Sequence, residues 1–145
     1  MLYDRIPLSK EAFFGLKTCV IVLYQMHDRS GNKNNKIGHY SLVMKTPGSK
    51  QLRYFSSYGF TPEYEIHLTH SKGKLLKLLG KKYTYNRTRL QNVTRTQTCG
   101  LHALIRSFFY KLNDRAYNSL LKRFHSQNPD DLVSIMSLCL VFNEL

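Results

Sequence analysis

Cys99 stands where a polar stretch, Thr94-Arg95-Thr96-Gln97-Thr98, gives way to an apolar segment that opens Gly100-Leu101. A thiol attacks a carbonyl carbon as the thiolate, and a helix start and a nearby imidazole are what favour that form. The helix start is readable directly. Leu101, Leu104, Ile105, Phe108 and Phe109 recur at helical spacing, which predicts a helix from Thr98 or Cys99 to about Leu112. Gly100 leaves the backbone beside the thiol without a side chain to obstruct a substrate. His39 is the candidate base: it follows Gly38, opens a predicted strand, and ionises near neutrality. The other histidines fit less well. His27 ends a strand beside Asp28, His67 and His70 flank a polar loop, and His125 ends a helix, where a cation suits the dipole. His102, three residues after Cys99 on one helix, reads as core or wall. Cys19 and Cys139 lie in apolar segments and read as inert core thiols with raised pKa. Three cysteines at wide spacing make neither a disulfide framework nor a zinc site, so no metal or other cofactor is expected.

The elements that must hold these residues are a small sheet and flanking helices. Thr18 to Met26 is an apolar, β-branched run that predicts a buried strand. Asp28 to Lys36 reads as a polar turn, His39 to Lys45 as a second strand, and Gln51 to Phe55 as a third, joined as an antiparallel meander. Ser57 to Thr61 leaves the sheet as a turn, and Pro62 to Leu68 fits no single period. Lys72 to Leu79 suits a short amphipathic helix stopped by Gly80. Lys82 to Gln91 alternates aromatic and polar residues and predicts a further strand. Asp114 to Phe124 predicts a helix, and Asn128-Pro129-Asp130-Asp131 is a strong start for a last one reaching about Phe142. The expected fold is α+β, one domain over residues 1–145, with a small, mostly antiparallel sheet flanked by helices.

Gly38-His39-Tyr40 ahead of an apolar strand resembles the His-aromatic motif of adenovirus-type maturation cysteine proteases, whose superfamily includes the SUMO-deconjugating enzymes. About one strand later that family carries Phe-Asp-Ser or Phe-Glu-Pro, then an aromatic residue and glycine; here stands Phe55-Ser56-Ser57-Tyr58-Gly59-Phe60. A glutamine then precedes Cys-Gly, as Gln91 precedes Cys99-Gly100-Leu101-His102-Ala103-Leu104. Asn128-Pro129-Asp130-Asp131 and Tyr3-Asp4-Arg5-Ile6-Pro7 are similar to late and early segments in proteases of large DNA viruses, virophages and Polinton-type transposons. The resemblance implies an adenain/Ulp-like fold and an endopeptidase that trims capsid and core precursors. His39 would be its base, Cys99 its nucleophile, and Gln91 its oxyanion donor. It also implies a virion, host nucleus or cytoplasmic virus factory as location, and DNA or a precursor peptide as activator. A monomer without a membrane partner is expected.

Two departures from the pattern matter. The family's acidic third member is matched by Ser56, which leaves a dyad with a neutral orienter, an acid supplied from elsewhere, or an inactive enzyme. Glu63 and Glu65 are the nearest acids in sequence, and no motif places them at the site. The interval from Gln91 to Cys99 is slightly long, so Asn92 competes for the oxyanion role. Two rival functions stay open: a deconjugase of ubiquitin-like modifiers, and a decayed protease acting as a basic nucleic-acid-binding module.

The charge bears on that last rival. Lys and Arg number 22 against 9 Asp and Glu, a net charge of +13 in 145 residues. Such a chain is drawn to polyanions, and nucleic acid is the commonest one. The N-terminus lacks the order of a signal peptide, and no apolar run reaches the length of a membrane span, so secretion is not expected.

Overall fold

The computed structural model describes residues 1–27, 33–92, 97–124 and 128–142. Residues 28–32 of the expected polar turn, together with Arg95 and His125, lie outside the described residues. After a 3-10 turn at Tyr3–Arg5 and helix α1 (Lys10–Phe14) come strands β1 (Cys19–His27), β2 (Lys33–Lys45) and β3 (Leu52–Ser56). Helices α2 (Pro62–Leu68) and α3 (Lys74–Leu79) cross to β4 (Tyr83–Tyr85). The chain ends in α4 (Cys99–Phe108), α5 (Asp114–Lys122) and α6 (Pro129–Phe142). The class is α+β, with a four-stranded mixed sheet in the order β1-β2-β3-β4.

Two of the three strand pairings are antiparallel, as the meander reading expected, while β3 and β4 are parallel. A parallel neighbour needs a crossover, and α2 and α3 supply it. The expected strand from Lys82 to Gln91 stops at Tyr85, because the Asn86 side chain takes over the ladder. Its Oδ1 accepts the Ser56 N–H at 2.8 Å and its Nδ2 donates to the Ser56 carbonyl at 2.7 Å. At the other edge, β2 begins at Lys33, earlier than the sequence suggests.

Alternation along the strands builds two cores. Val20, Val22, Tyr24, Val43, Leu52 and Tyr54 pack with Phe13, Phe14, Leu75, Leu78 and Leu79 on one face. Leu42, Met44 and Phe55 pack on the other with Ala103, Tyr117, Leu121 and Leu132. All five residues of β3 are buried, the mark of a strand covered on both faces. Helix starts follow local capping chemistry. Thr61 Oγ1 accepts the Tyr64 N–H at 3.2 Å ahead of Pro62, and Asn113 Oδ1 accepts the Ala116 N–H at 2.8 Å.

The feature that matters for function is where β3 ends. Its last pairing with β2 is Ser41 with Ser56, and beyond it the chain turns away through Ser57 and Gly59. His39 therefore sits on β2 just past its last β3 neighbour, at a gap open to both helical layers.

Candidate active site

His39 shares strand parity with Ser41 and Val43, so it begins on the α2 face of the sheet. There Nε2 lies 2.9 Å from the Glu65 carboxylate and 3.4 Å from Ser56 Oγ. The imidazole is stacked on Tyr58, centroids 4.6 Å apart. Glu65 is 2 % exposed, and its second oxygen accepts the Tyr54 hydroxyl, which in turn lies 3.2 Å from the Tyr24 hydroxyl. Phenol donors of this kind reduce the cost of burying a carboxylate and fix its aim.

This arrangement gives the imidazole two neighbours at one nitrogen, the expected Ser56 and an acid from elsewhere in the chain. Ser56 reaches Nε2 from the end of β3, and the Glu65 carboxylate reaches the same nitrogen from α2. Sequence reasoning named Glu65 as a nearby acid but could not place it, because Pro62 to Leu68 showed no clear period. The available signal was Thr61-Pro62, a cap followed by proline at the first turn.

Cys99 approaches from the opposite layer, at the first turn of α4. Tyr40, on the α4 face of β2, lays its ring against that turn. A Cβ on Gly100 would stand 3.4 Å from it, so the glycine's free space is filled by this aromatic ring. Gly38, just before His39, is equally constrained: a Cβ there would stand 2.6 Å from the Tyr24 carbonyl oxygen. The imidazole and the Cys99 thiol are partners across the sheet. Burial alone would lower the imidazole, but the Cys99 and Glu65 partners outweigh it and lift His39 to about 9. Burial likewise raises the thiol, but His39 and the backbone N–H groups of Tyr40 and Gly100 outweigh it and leave Cys99 below its usual value. The opposite shifts are those of a thiol and an imidazole that each favour the other's charged form.

Gln91 is 1 % exposed and is gripped by Ser57. Its N–H donates to the Ser57 carbonyl at 3.0 Å, and its Oε1 accepts the Ser57 hydroxyl at 2.6 Å. That second bond ties the side-chain amide to the turn after β3. Asn92 uses its backbone N–H on Asp130 Oδ2 at 3.2 Å. Asp130 Oδ1 accepts the Thr98 hydroxyl and lies 3.0 Å from His102 Nε2. Residues adjoining Gln91 and Cys99 thus meet on one carboxylate. His102 is fully buried against Asp130, and burial holds its pKa below the ordinary value despite that partner.

The two other cysteines differ from each other. Cys19 is half-buried, and burial raises its thiol. Cys139 is exposed on α6, which corrects its reading as a core residue. The apolar run Leu132 to Phe142 is longer than one buried stripe, and Cys139 falls on its outer side with Leu138. Among the described residues no group of three or more His, Cys, Asp or Glu side chains is placed to hold a metal ion. Among the described residues, no helix is long and apolar enough to cross a membrane.

Alkylation separates the three thiols. At about pH 6, iodoacetamide should label Cys99 faster than Cys19 and Cys139, read by mass spectrometry, because only a lowered pKa keeps thiolate present there. Faster labelling of either other cysteine at that pH removes Cys99 as nucleophile.

No protein-family model matches the chain, and neither a curated protein nor a solved structure matches it.

Proposed function

We propose that this chain is a cysteine endopeptidase whose working parts are Cys99, His39, Glu65 and Gln91. The observation that carries the reading is His39 in the gap of the sheet, between a lowered thiol and a buried carboxylate. The thiolate adds to the scissile carbonyl carbon. The Gln91 amide and the Cys99 N–H bind the resulting oxyanion, as one such donor is worth about 3–4 kcal/mol in other enzymes. The imidazolium gives its proton to the departing amine, which leaves a thioester on Cys99. Neutral His39 then takes a proton from water, the hydroxide adds to the thioester, and the acid product leaves with the thiolate restored.

The finer assignment, an adenovirus-type maturation protease acting on capsid or core precursors, rests on the resemblance. Glu65 supports it in one respect: the chain order becomes His39, acid, Gln91, Cys99. The same carboxylate speaks against a decayed enzyme, since an imidazole without work to do needs no buried counter-ion. A peptide library incubated with the protein and read by mass spectrometry tests the reading. Cleavage absent from the Cys99→Ala protein is expected. A chain that alkylates at Cys99 but cuts nothing retires it.

A polyanion partner is proposed for a different surface. Lys10, Lys50, Lys81 and Lys82 line one hollow, and Lys45 joins Lys10 and Lys50 in the next. Both lie by the Lys45–Leu52 end of the β2–β3 pair, away from Ser41 and Ser56. Arg53 and Arg106, by contrast, are buried on backbone carbonyls and offer nothing to a ligand. Duplex DNA should bind without sequence preference at about 50 mM salt and weaken steeply as salt rises. A Lys81→Ala/Lys82→Ala protein should bind less and cut as before in the absence of DNA. A flat salt response, read by fluorescence anisotropy, removes the proposal.

A further inference from the structure

We infer that Asp130 is a positioning residue for the oxyanion site, a step that rests on the peptidase reading. The sequence gives Asp130 and Asp131 the same task at the start of α6, and the structure divides them. Asn128 Oδ1 accepts the Asp131 N–H at 3.0 Å and Asn128 Nδ2 donates to the Asp131 carboxylate at 2.6 Å, so the cap is made by that exposed pair. Asp130 turns inward and is 6 % exposed. Among the described residues, three of its partners are distant in sequence: the Asn92 N–H, the Thr98 hydroxyl and His102 Nε2.

Those three groups belong to the two halves of the oxyanion site. Asn92 follows Gln91, the side-chain donor, and Thr98 precedes Cys99, the backbone donor. His102, one turn along α4, fixes the rotation of the nucleophile helix against the same carboxylate. Two donors serve one oxygen only at matched distances, about 2.7–3.1 Å from where it will stand. A single carboxylate bonding the residue beside each donor sets that match. Ser57 holds Gln91 from its other side. Among the described residues none of these bonds involves the imidazole of His39, which has its own carboxylate in Glu65. Asp130 therefore acts on the oxyanion and leaves the formation of the thiolate alone.

That separation can be measured without knowing the natural substrate. Iodoacetamide alkylates Cys99 by displacement at carbon and forms no oxyanion, whereas p-nitrophenyl acetate acylates it through a tetrahedral one. In the Asp130→Asn protein, alkylation and its pH profile should stay within about twofold of the parent while acylation falls about tenfold to a hundredfold. Asp131→Asn, which alters only the exposed cap, should leave both rates unchanged. If Asp130→Asn does not fold, as judged by its thermal transition, Thr98→Val removes one arm of the network. It should lower acylation selectively by a smaller factor. Parallel loss of both reactions, or loss of neither, overturns the inference. If the parent is acylated no faster than Cys99→Ala, the peptidase reading itself fails and takes this inference with it.

Discussion

Glu65→Gln should lower peptidase turnover by about two to four orders of magnitude, the scale seen when the acid of a catalytic triad is neutralised. The substitution keeps the shape of a side chain buried under β3 and keeps an acceptor for the Tyr54 hydroxyl. What it removes is the charge that supports the imidazolium, one cause of the rise of His39 to about 9. The sign of the pH effect follows. Activity needs the thiolate together with the imidazolium, so it rises through the lowered pKa of Cys99 and falls through that of His39. The falling limb, expected near 9 in the parent, should move to lower pH in Glu65→Gln. Ser56→Ala should cost far less, about threefold to tenfold, the worth of one neutral hydrogen bond. Ser56→Asp, attractive from sequence alone, should now be harmful. It would set a second carboxylate at a fully buried position beside Glu65, and like charges in one site cannot both ionise cheaply. Turnover of Glu65→Gln within threefold of the parent, with Ser56→Ala falling further, would return the third place to Ser56.

The same pair governs stability. His39 is raised on folding, so its contribution is complete below about 6.5 and is lost as pH climbs through about 9. Cys99 is lowered, so its contribution is complete above the unfolded thiol value of about 8.5 and is lost as pH falls through the folded one. The two trends oppose each other across the neutral range.

Cys99→Ala should reduce cleavage to the uncatalysed background, a loss on the order of a millionfold where the nucleophile of a triad has been removed. The helix should survive, since alanine is the best helix former and Cys99 contributes only a small side chain to the core. The His39 pKa should fall in the same protein, because the hydrogen bond to Cys99 is the largest of the causes that raise it. Imidazole titration by NMR reads that shift, and circular dichroism checks the fold. Cleavage that persists in Cys99→Ala assigns the chemistry to another residue.

Much of the frame was legible because it rests on local pattern. The apolar run of β1, the apolar strand that follows Gly38-His39-Tyr40 and the Asn128-Pro129 start each specify an element without help from the rest of the chain. Cys99 could be placed at a helix start for the same reason. What escaped depends on contacts between distant segments. Glu65 meets Tyr54 and His39 only when α2 docks under the sheet, and a seven-residue helix carries too little periodicity to announce its buried side. Asp130 looked like an ordinary dipole partner until α6 brought it to Asn92, Thr98 and His102. The parallel β4 was hidden by an aromatic alternation that fits either direction of pairing.

The gap beside β3 also sets the moment at which this chemistry becomes available. The carboxylate reaches the imidazole from the α2 layer and the thiol from the α4 layer, so neither half-built face holds a complete site. During synthesis His39 and Glu65 emerge well before Cys99, and Asp130 comes last of the four. Until Cys99 is made, the growing chain holds the imidazole and its acid alone. The Cys99 thiol meets them only when the α4 layer has closed on the sheet. On the proposed function, the molecule gains the capacity to cut only by finishing its own fold.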